Sequence, residues 1–187
     1  VQRAIVFVDL PFPLQHLGVD KAIESAARIL QETGCQAIKL EGTSGQRDVI
    51  AGIVEAGIPV MAHVGLRPQA VHQLGGYRIQ RDRDQLLADA TAAESAGACG
   101  VVLECVPAEI AAEITTTISI PTIGIGAGPK CDGQVLVLHD LIGLSVDRIP
   151  RFVRSYADTK GTVLDAVTSW RQDVEAKTFP SEAEILA

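Results

Sequence analysis

The feature that most constrains the fold is an alternation repeated along most of the chain. Short apolar runs rich in β-branched residues fall at Ala4–Val8, Ala37–Leu40, Pro59–Val64, Gly100–Cys105, Thr122–Ile125 and Val135–Leu138. They are nearly continuous rather than alternating, which is the pattern of parallel strands covered on both faces. Helical spacing fills the intervals. Between Asp20 and Thr33 the apolar positions Ile23, Ala26, Ala27 and Leu30 recur on one face, with Asp20 expected as the N-cap. Similar stretches cover 48–56, 84–96 and 108–118. Three helices end on one signal, Glu32-Thr33-Gly34, Glu55-Ala56-Gly57 and Ser95-Ala96-Gly97. A glycine there suits the left-handed residue that stops a helix and turns the chain back under a sheet. Six strands and at least five strand–helix units predict an α/β fold with a parallel sheet, either open and doubly wound or a (β/α)8 TIM barrel.

The polar residues separate these two. Asp9, Lys39 with Glu41, His63, Glu104, Gly124–Gly128 and His139-Asp140 fall at the C-terminal ends of the apolar runs. An open sheet concentrates its ligand groups at one switch point, whereas a barrel gathers chemistry from the ends of many strands. The barrel is therefore the expected fold, with six of its eight units in this sequence. Residues 1–187 read as one incomplete barrel domain. Within it, 150–187 form a C-terminal helical extension whose apolar stripe is Phe152, Tyr156, Val163, Val167 and Trp170.

Composition narrows the function. With 16 Lys+Arg against 23 Asp+Glu the net charge is −7, and no basic cluster offers the footprint of a nucleic-acid binder. No apolar run approaches the roughly 20 residues of a membrane span. The opening residues carry no signal-peptide or transit pattern, so a cytoplasmic location is expected. Cys35, Cys99, Cys105 and Cys131 form no C-x-x-C pair and no zinc spacing, which favours reduced thiols.

Three strand-end carboxylates carry the chemistry. Asp9 follows an apolar run and precedes a proline turn, where an unpaired buried carboxylate needs a metal or a cation; the plainer reading is a loop cap. Lys39 and Glu41 flank Leu40 and so point to the same side of one strand, as substrate groups or as a structural ion pair. Glu104 is embedded in Val101-Val102-Leu103-Glu104-Cys105, an apolar setting that suits a general base. His63 ends its strand as either a site residue or a hydrogen-bonded core group, and His16, His72 and His139 rank below it. The glycines of 124–128 match a nucleotide loop poorly; close backbone packing is the better reading. Carboxylates without a Cys or His cluster imply a hard cation such as Mg2+, able to polarise a keto oxygen. The reaction class inferred is proton abstraction alpha to a carbonyl, followed by carbon–carbon chemistry.

Several strings together resemble the ketopantoate hydroxymethyltransferase family. They are Asp9-Leu10-Pro11-Phe12, Lys39-Leu40-Glu41-Gly42, His63-Val64-Gly65-Leu66-Arg67-Pro68-Gln69, Leu74-Gly75-Gly76-Tyr77-Arg78-Ile79-Gln80 and Leu103-Glu104-Cys105-Val106-Pro107. The run from Ile120 through Gly128 to His139-Asp140 and the terminal Thr178-Phe179-Pro180 match as well. The resemblance implies a (β/α)8 barrel that uses Mg2+ and 5,10-methylenetetrahydrofolate to convert 3-methyl-2-oxobutanoate into 2-dehydropantoate, on the way to pantothenate. By motif, Asp9 is implied as a metal ligand beside the keto acid, Glu41 as a group at the metal and Lys39 as the partner of the substrate carboxylate. Glu104 is implied as the proton acceptor, and His63 as a neighbour of the substrate. The segment 66–82 is long for a strand–helix loop and is expected to cover the site or contact folate. The family's early Gly-Asp-Ser-Leu strand, with a further metal ligand, has no match here, and the first strand present corresponds to the family's third. Homo-oligomers are common in the family. The competing expectations are another Mg2+-dependent carbon–carbon lyase barrel and a catalytically impaired homologue acting as an assembly subunit.

Overall fold

The computed structural model describes residues 3–42, 44–146 and 149–186. Two compact units are present, residues 1–135 and 136–187. The first is built on six strands: β1 (Phe7–Asp9), β2 (Ala37–Glu41), β3 (Val60–Gly65), β4 (Gly100–Glu104), β5 (Thr122–Ile125) and β6 (Gly133–Gln134). Each pairs in parallel with the next, in the order β1-β2-β3-β4-β5-β6, making a curled parallel half-barrel. Helices α1 (Val19–Thr33), α2 (Arg47–Glu55), α3 (Arg83–Ser95) and α4 (Ala108–Thr117) connect the first five strands.

Strand register assigns the two faces. Ile38, Leu40, Val60, Ala62, Val64, Val101 and Leu103 alternate onto one face and share a buried cluster with Ala22 and Ala26 of α1, Ile50 and Ile53 of α2, Leu86 and Ala90 of α3, and Ile110 and Ile114 of α4. Full burial of a Leu or Ile side chain contributes about 1.5–3 kcal/mol, so this helix-covered layer holds the unit together. The partners Asp9↔Lys39, Glu41↔His63, His63↔Val102 and Gly65↔Glu104 place Asp9, Lys39, Glu41, His63 and Glu104 on the other face. Side chains at alternate positions share a face, and parallel register carries that parity from strand to strand.

The helix ends follow their sequence signals with one exception. Gly34, Gly57 and Gly97 adopt φ of +70°, +87° and +86°, the left-handed conformation expected after α1, α2 and α3. The N-cap of α1 is Gly18, not Asp20; Asp20 stands in the first turn, where its carboxylate complements the helix dipole. The last strand also departs from expectation. The ladder next to β5 is made by Gly133–Gln134, and Val135–Val137 lie outside any strand because the chain leaves the sheet after Val135 N–H donates to Gly124 O. No helix lies between β5 and β6. The loop of 126–132 is instead tied down by Asp132, whose Oδ2 accepts from Thr122 N–H (2.8 Å) and Thr122 Oγ1 (3.0 Å). These bonds, the backbone one foremost, hold the Asp132 carboxyl below its ordinary pKa.

The second unit contains α5 (Leu138–Leu141) and α6 (Thr159–Glu175), the latter capped by Asp158, whose Oδ1 accepts from Gly161 N–H. His139 and Asp140 therefore lie in a short helix and not at a strand end. Phe152 and Tyr156 precede α6, while Val163, Val167 and Trp170 lie along it, and all five are exposed. Trp170 meets Phe179 edge-on, with ring centroids 6.5 Å apart.

Candidate active site

The five polar residues singled out in the sequence lie along the C-terminal ends of β1 to β4, on the face away from the helices. Lys39 Nζ donates to Asp9 Oδ1 across the β1–β2 pair, so the lysine's carboxylate partner is Asp9. Asp9 is 57% exposed and Lys39 21%, so the pair opens to solvent from the acidic side. Glu41 is buried, and its Oε2 accepts the Gln69 backbone N–H at 2.9 Å.

His63 is 2% exposed. Its Nε2 lies 2.7 Å from the Leu66 carbonyl and 3.3 Å from Glu104 Oε2. Both neighbours are acceptors, so Nε2 carries the proton; Nδ1 is buried with no partner among the described residues. Glu104 is 17% exposed, which leaves its carboxylate accessible from the open face. Backbone geometry fixes it there. Leu66 N–H donates to Glu104 O at 2.9 Å and Cys105 N–H to Ile125 O at 2.9 Å. Gly65, at φ +99°, lets β3 run against that carbonyl; a Cβ at this position would collide with it. Cys105, next in sequence, is itself at φ +51°. Its thiol is pushed up to about 11 by burial, with the Glu104 carboxylate adding to the shift.

A second feature escaped the sequence reading. Gln15 is buried in the 3-10 turn Leu14–His16, and its Nε2 donates to Gln69 Oε1 at 2.7 Å, while Gln69 Nε2 donates to Leu10 O at 3.1 Å. These bonds fix the orientation of both amides and join the loop after β1 to the loop after β3. The bridge forms one wall of a pocket of about 470 Å3 that Glu41, Phe12 and Arg67 also line. Residues 15 and 69 lie far apart in the chain, and only the Arg67-Pro68-Gln69 string hinted at a role for the second.

Asp9 and Glu41 offer hard oxygen ligands at neighbouring strand ends, which fits Mg2+, an ion that takes one or two protein carboxylates and keeps waters. No group of three or more His, Cys, Asp or Glu suited to a metal is present among the described residues. The four cysteines are free, Cys35 being buried and Cys99 exposed. At Gly128 the glycine loop packs so closely on Ala108 that a Cβ would overlap it, a packing role. No helix of the described residues is long and apolar enough to cross a membrane.

A parallel half-barrel with charged groups at successive strand ends has the layout of an α/β barrel enzyme. The comparisons specify which. Residues 1–182 match the family model described as ketopantoate hydroxymethyltransferase, and the chain belongs to that family of transferases. It is 53% identical over 182 residues to the 3-methyl-2-oxobutanoate hydroxymethyltransferase of Rhodopirellula baltica, a match covering 97% of this chain and 68% of that protein. The enzyme of the same name from Syntrophomonas wolfei is 46% identical over 185 residues, covering 97% and 67%. Among solved structures, the Amycolatopsis orientalis BexX/CysO complex is similar with a TM-score of 0.50 at 15% identity, covering 97% of this chain and 71% of that one. An uncharacterized conserved protein from Geobacillus kaustophilus gives 0.51 at 18% identity, covering 76% and 70%. These likenesses concern the fold alone.

Proposed function

We propose that this chain supplies the last six units of a (β/α)8 barrel that transfers a hydroxymethyl group from 5,10-methylenetetrahydrofolate to 3-methyl-2-oxobutanoate. One observation supports this reading most: Asp9, Lys39, Glu41, His63 and Glu104 share one face at the ends of four consecutive parallel strands. That arrangement provides a base, a cation and two oxygen donors on one face of the sheet.

In this reading Glu104 Oε2 removes the C3 proton of the keto acid. Its 17% exposure leaves it open to substrate, and the backbone bonds on either side of it hold its strand end in place. The Lys39 ammonium binds the substrate carboxylate and offsets negative charge as the enolate forms; Asp9 orients that ammonium. Asp9 and Glu41 would hold Mg2+, which would supply Lewis-acid polarisation of the keto oxygen. C3 then forms a bond to the folate-borne carbon, water provides the hydroxyl oxygen as both carbon–nitrogen bonds to that carbon break, and tetrahydrofolate leaves with the C3 proton and one water proton on its two nitrogens.

The test is formation of 2-dehydropantoate by the 187-residue chain from the two substrates, with and without Mg2+. Turnover that is lost by at least about 10³-fold in Glu104→Gln, with the melting curve unchanged, is the expected result. Turnover in wild type that Glu104→Gln retains overturns the assignment of the base. The alternative, a catalytically impaired assembly subunit, draws support from the lack of a three-donor metal group among the described residues. Absence of turnover at any Mg2+ concentration favours it.

A further inference from the structure

Gln69 lies in the 3-10 turn Pro68–Ala70 after β3 and is bonded in three directions. Its backbone N–H donates to Glu41 Oε2 at 2.9 Å, its side-chain Nε2 donates to Leu10 O at 3.1 Å, and its Oε1 accepts from Gln15 Nε2 at 2.7 Å. Leu10 is buried and follows Asp9 directly. The Leu10 N–H donates to Lys39 O at 2.8 Å, so Leu10 is held by β2 through its N–H and by the Gln69 amide through its carbonyl. One residue thus reaches both strand-end carboxylates that fit a divalent cation. It touches Glu41 directly, and it touches Asp9 through the backbone next to it.

The partners dictate which way each amide points. Leu10 O can only accept, so Gln69 turns Nε2 towards it and Oε1 towards Gln15. Gln15 must then present its Nε2, and its own Oε1 is left in the interior with no donor among the described residues. A buried acceptor without a donor is costly, and an apolar side chain of the same shape would avoid that cost. The amide of Gln15 therefore opposes stability at one end while its other end restrains Gln69. The Gln69 side chain is only half-buried, and without the bond from the interior it is free to swing into water.

We propose that Gln69, backed by Gln15, is a positioning residue that sets the spacing of the Asp9 and Glu41 carboxylates for a divalent cation. This rests on the reading of those two carboxylates as the metal side of the site. Groups that orient the direct ligands of a metal change its affinity by about 10–100-fold when they are removed. Loss of either glutamine amide therefore weakens metal binding without weakening the fold. A bridge that only pinned the loop would behave in the opposite way, lowering the melting temperature and leaving metal affinity alone.

The experiment titrates Mn2+, a paramagnetic ion that also takes oxygen ligands, into the full chain without substrates, and follows hydrogen exchange at the Gln69 amide in the same samples. Gln15→Met removes the donor together with the orphaned acceptor and keeps the length of the side chain. It is expected to weaken Mn2+ binding by about tenfold and to speed exchange at the Gln69 amide by about tenfold, with the melting temperature unchanged or raised. Gln69→Met also loses the bond to Leu10 O and is expected to weaken binding by about 30-fold. Wild-type affinity in both variants, or a loss seen only alongside a fall in melting temperature, overturns the positioning role and leaves the metal reading standing. If wild type binds no Mn2+, the metal reading fails, and exchange alone decides whether the bridge holds Glu41. Protection of the Gln69 amide that survives Gln15→Met overturns that hold, and protection that falls about tenfold upholds it.

Discussion

His63 Nε2 stands 3.3 Å from Glu104 Oε2, although the two residues are not register partners: His63 lies opposite Val102, and Glu104 opposite Gly65. The contact is diagonal, between His63, two residues before the end of β3, and Glu104, the last residue of β4. It closes a small circuit in which Nε2 faces the Leu66 carbonyl and Leu66 N–H holds the Glu104 carbonyl. The histidine therefore braces the Leu66 turn, whose N–H in turn holds the Glu104 carbonyl.

That circuit predicts distinct outcomes for two substitutions. His63→Gln keeps a side-chain N–H near the Leu66 carbonyl and is expected to retain kcat within about tenfold. His63→Leu removes the donor and is expected to lower kcat by about 10²-fold, with KM for the keto acid little changed. Steady-state kinetics of both variants checks this; equal losses in both would show that the histidine only fills space.

Gly65 tests the backbone half of the circuit. Its φ of +99° and the collision of any Cβ with the Glu104 carbonyl leave no room for a side chain. Gly65→Ala is expected to destabilise the fold by about 2–4 kcal/mol, and to displace Glu104 in whatever fraction folds. Urea unfolding monitored by circular dichroism measures the loss, and a change below about 1 kcal/mol would show that the strand end relaxes freely.

Cys105 yields a pH prediction. With its thiol raised to about 11 by burial and by Glu104, only about one part in a thousand is thiolate at pH 8. Alkylation of Cys105 by iodoacetamide, followed by peptide mass spectrometry, is expected to be slow at pH 8 and to accelerate as pH approaches 11. Stability follows the same window. The ordinary thiol value is 9.0, so the folded state gains from the neutral thiol below that pH and loses this advantage as pH rises through about 11. Cys105→Ser is expected to flatten that alkaline fall in melting temperature.

Much of this was legible in the chain itself. Apolar runs and terminal glycines located five of the six strands and the first four helices to within a few residues, because burial on both sheet faces and left-handed helix ends impose strong local patterns. The sixth strand was displaced. Gly133 and Gln134 carry no strand signal, and their pairing arises from the Asp132–Thr122 clamp that brings the loop back to β5. The N-cap of α1 was missed for a similar reason: Gly18 takes that place through its backbone conformation, with no side-chain signal.

The sequence by itself determined which residues end the strands and that Lys39 and Glu41 point the same way, since alternation along a strand is a local property. Family membership was also readable, from motifs in their order. Only the tertiary structure decided who pairs with whom. Lys39 pairs with Asp9, 30 residues away, Gln15 bridges to Gln69 across 54, and His63 meets Glu104 diagonally. Those choices depend on strand register and loop closure, which distribute over the whole half-barrel and leave no mark on any single segment.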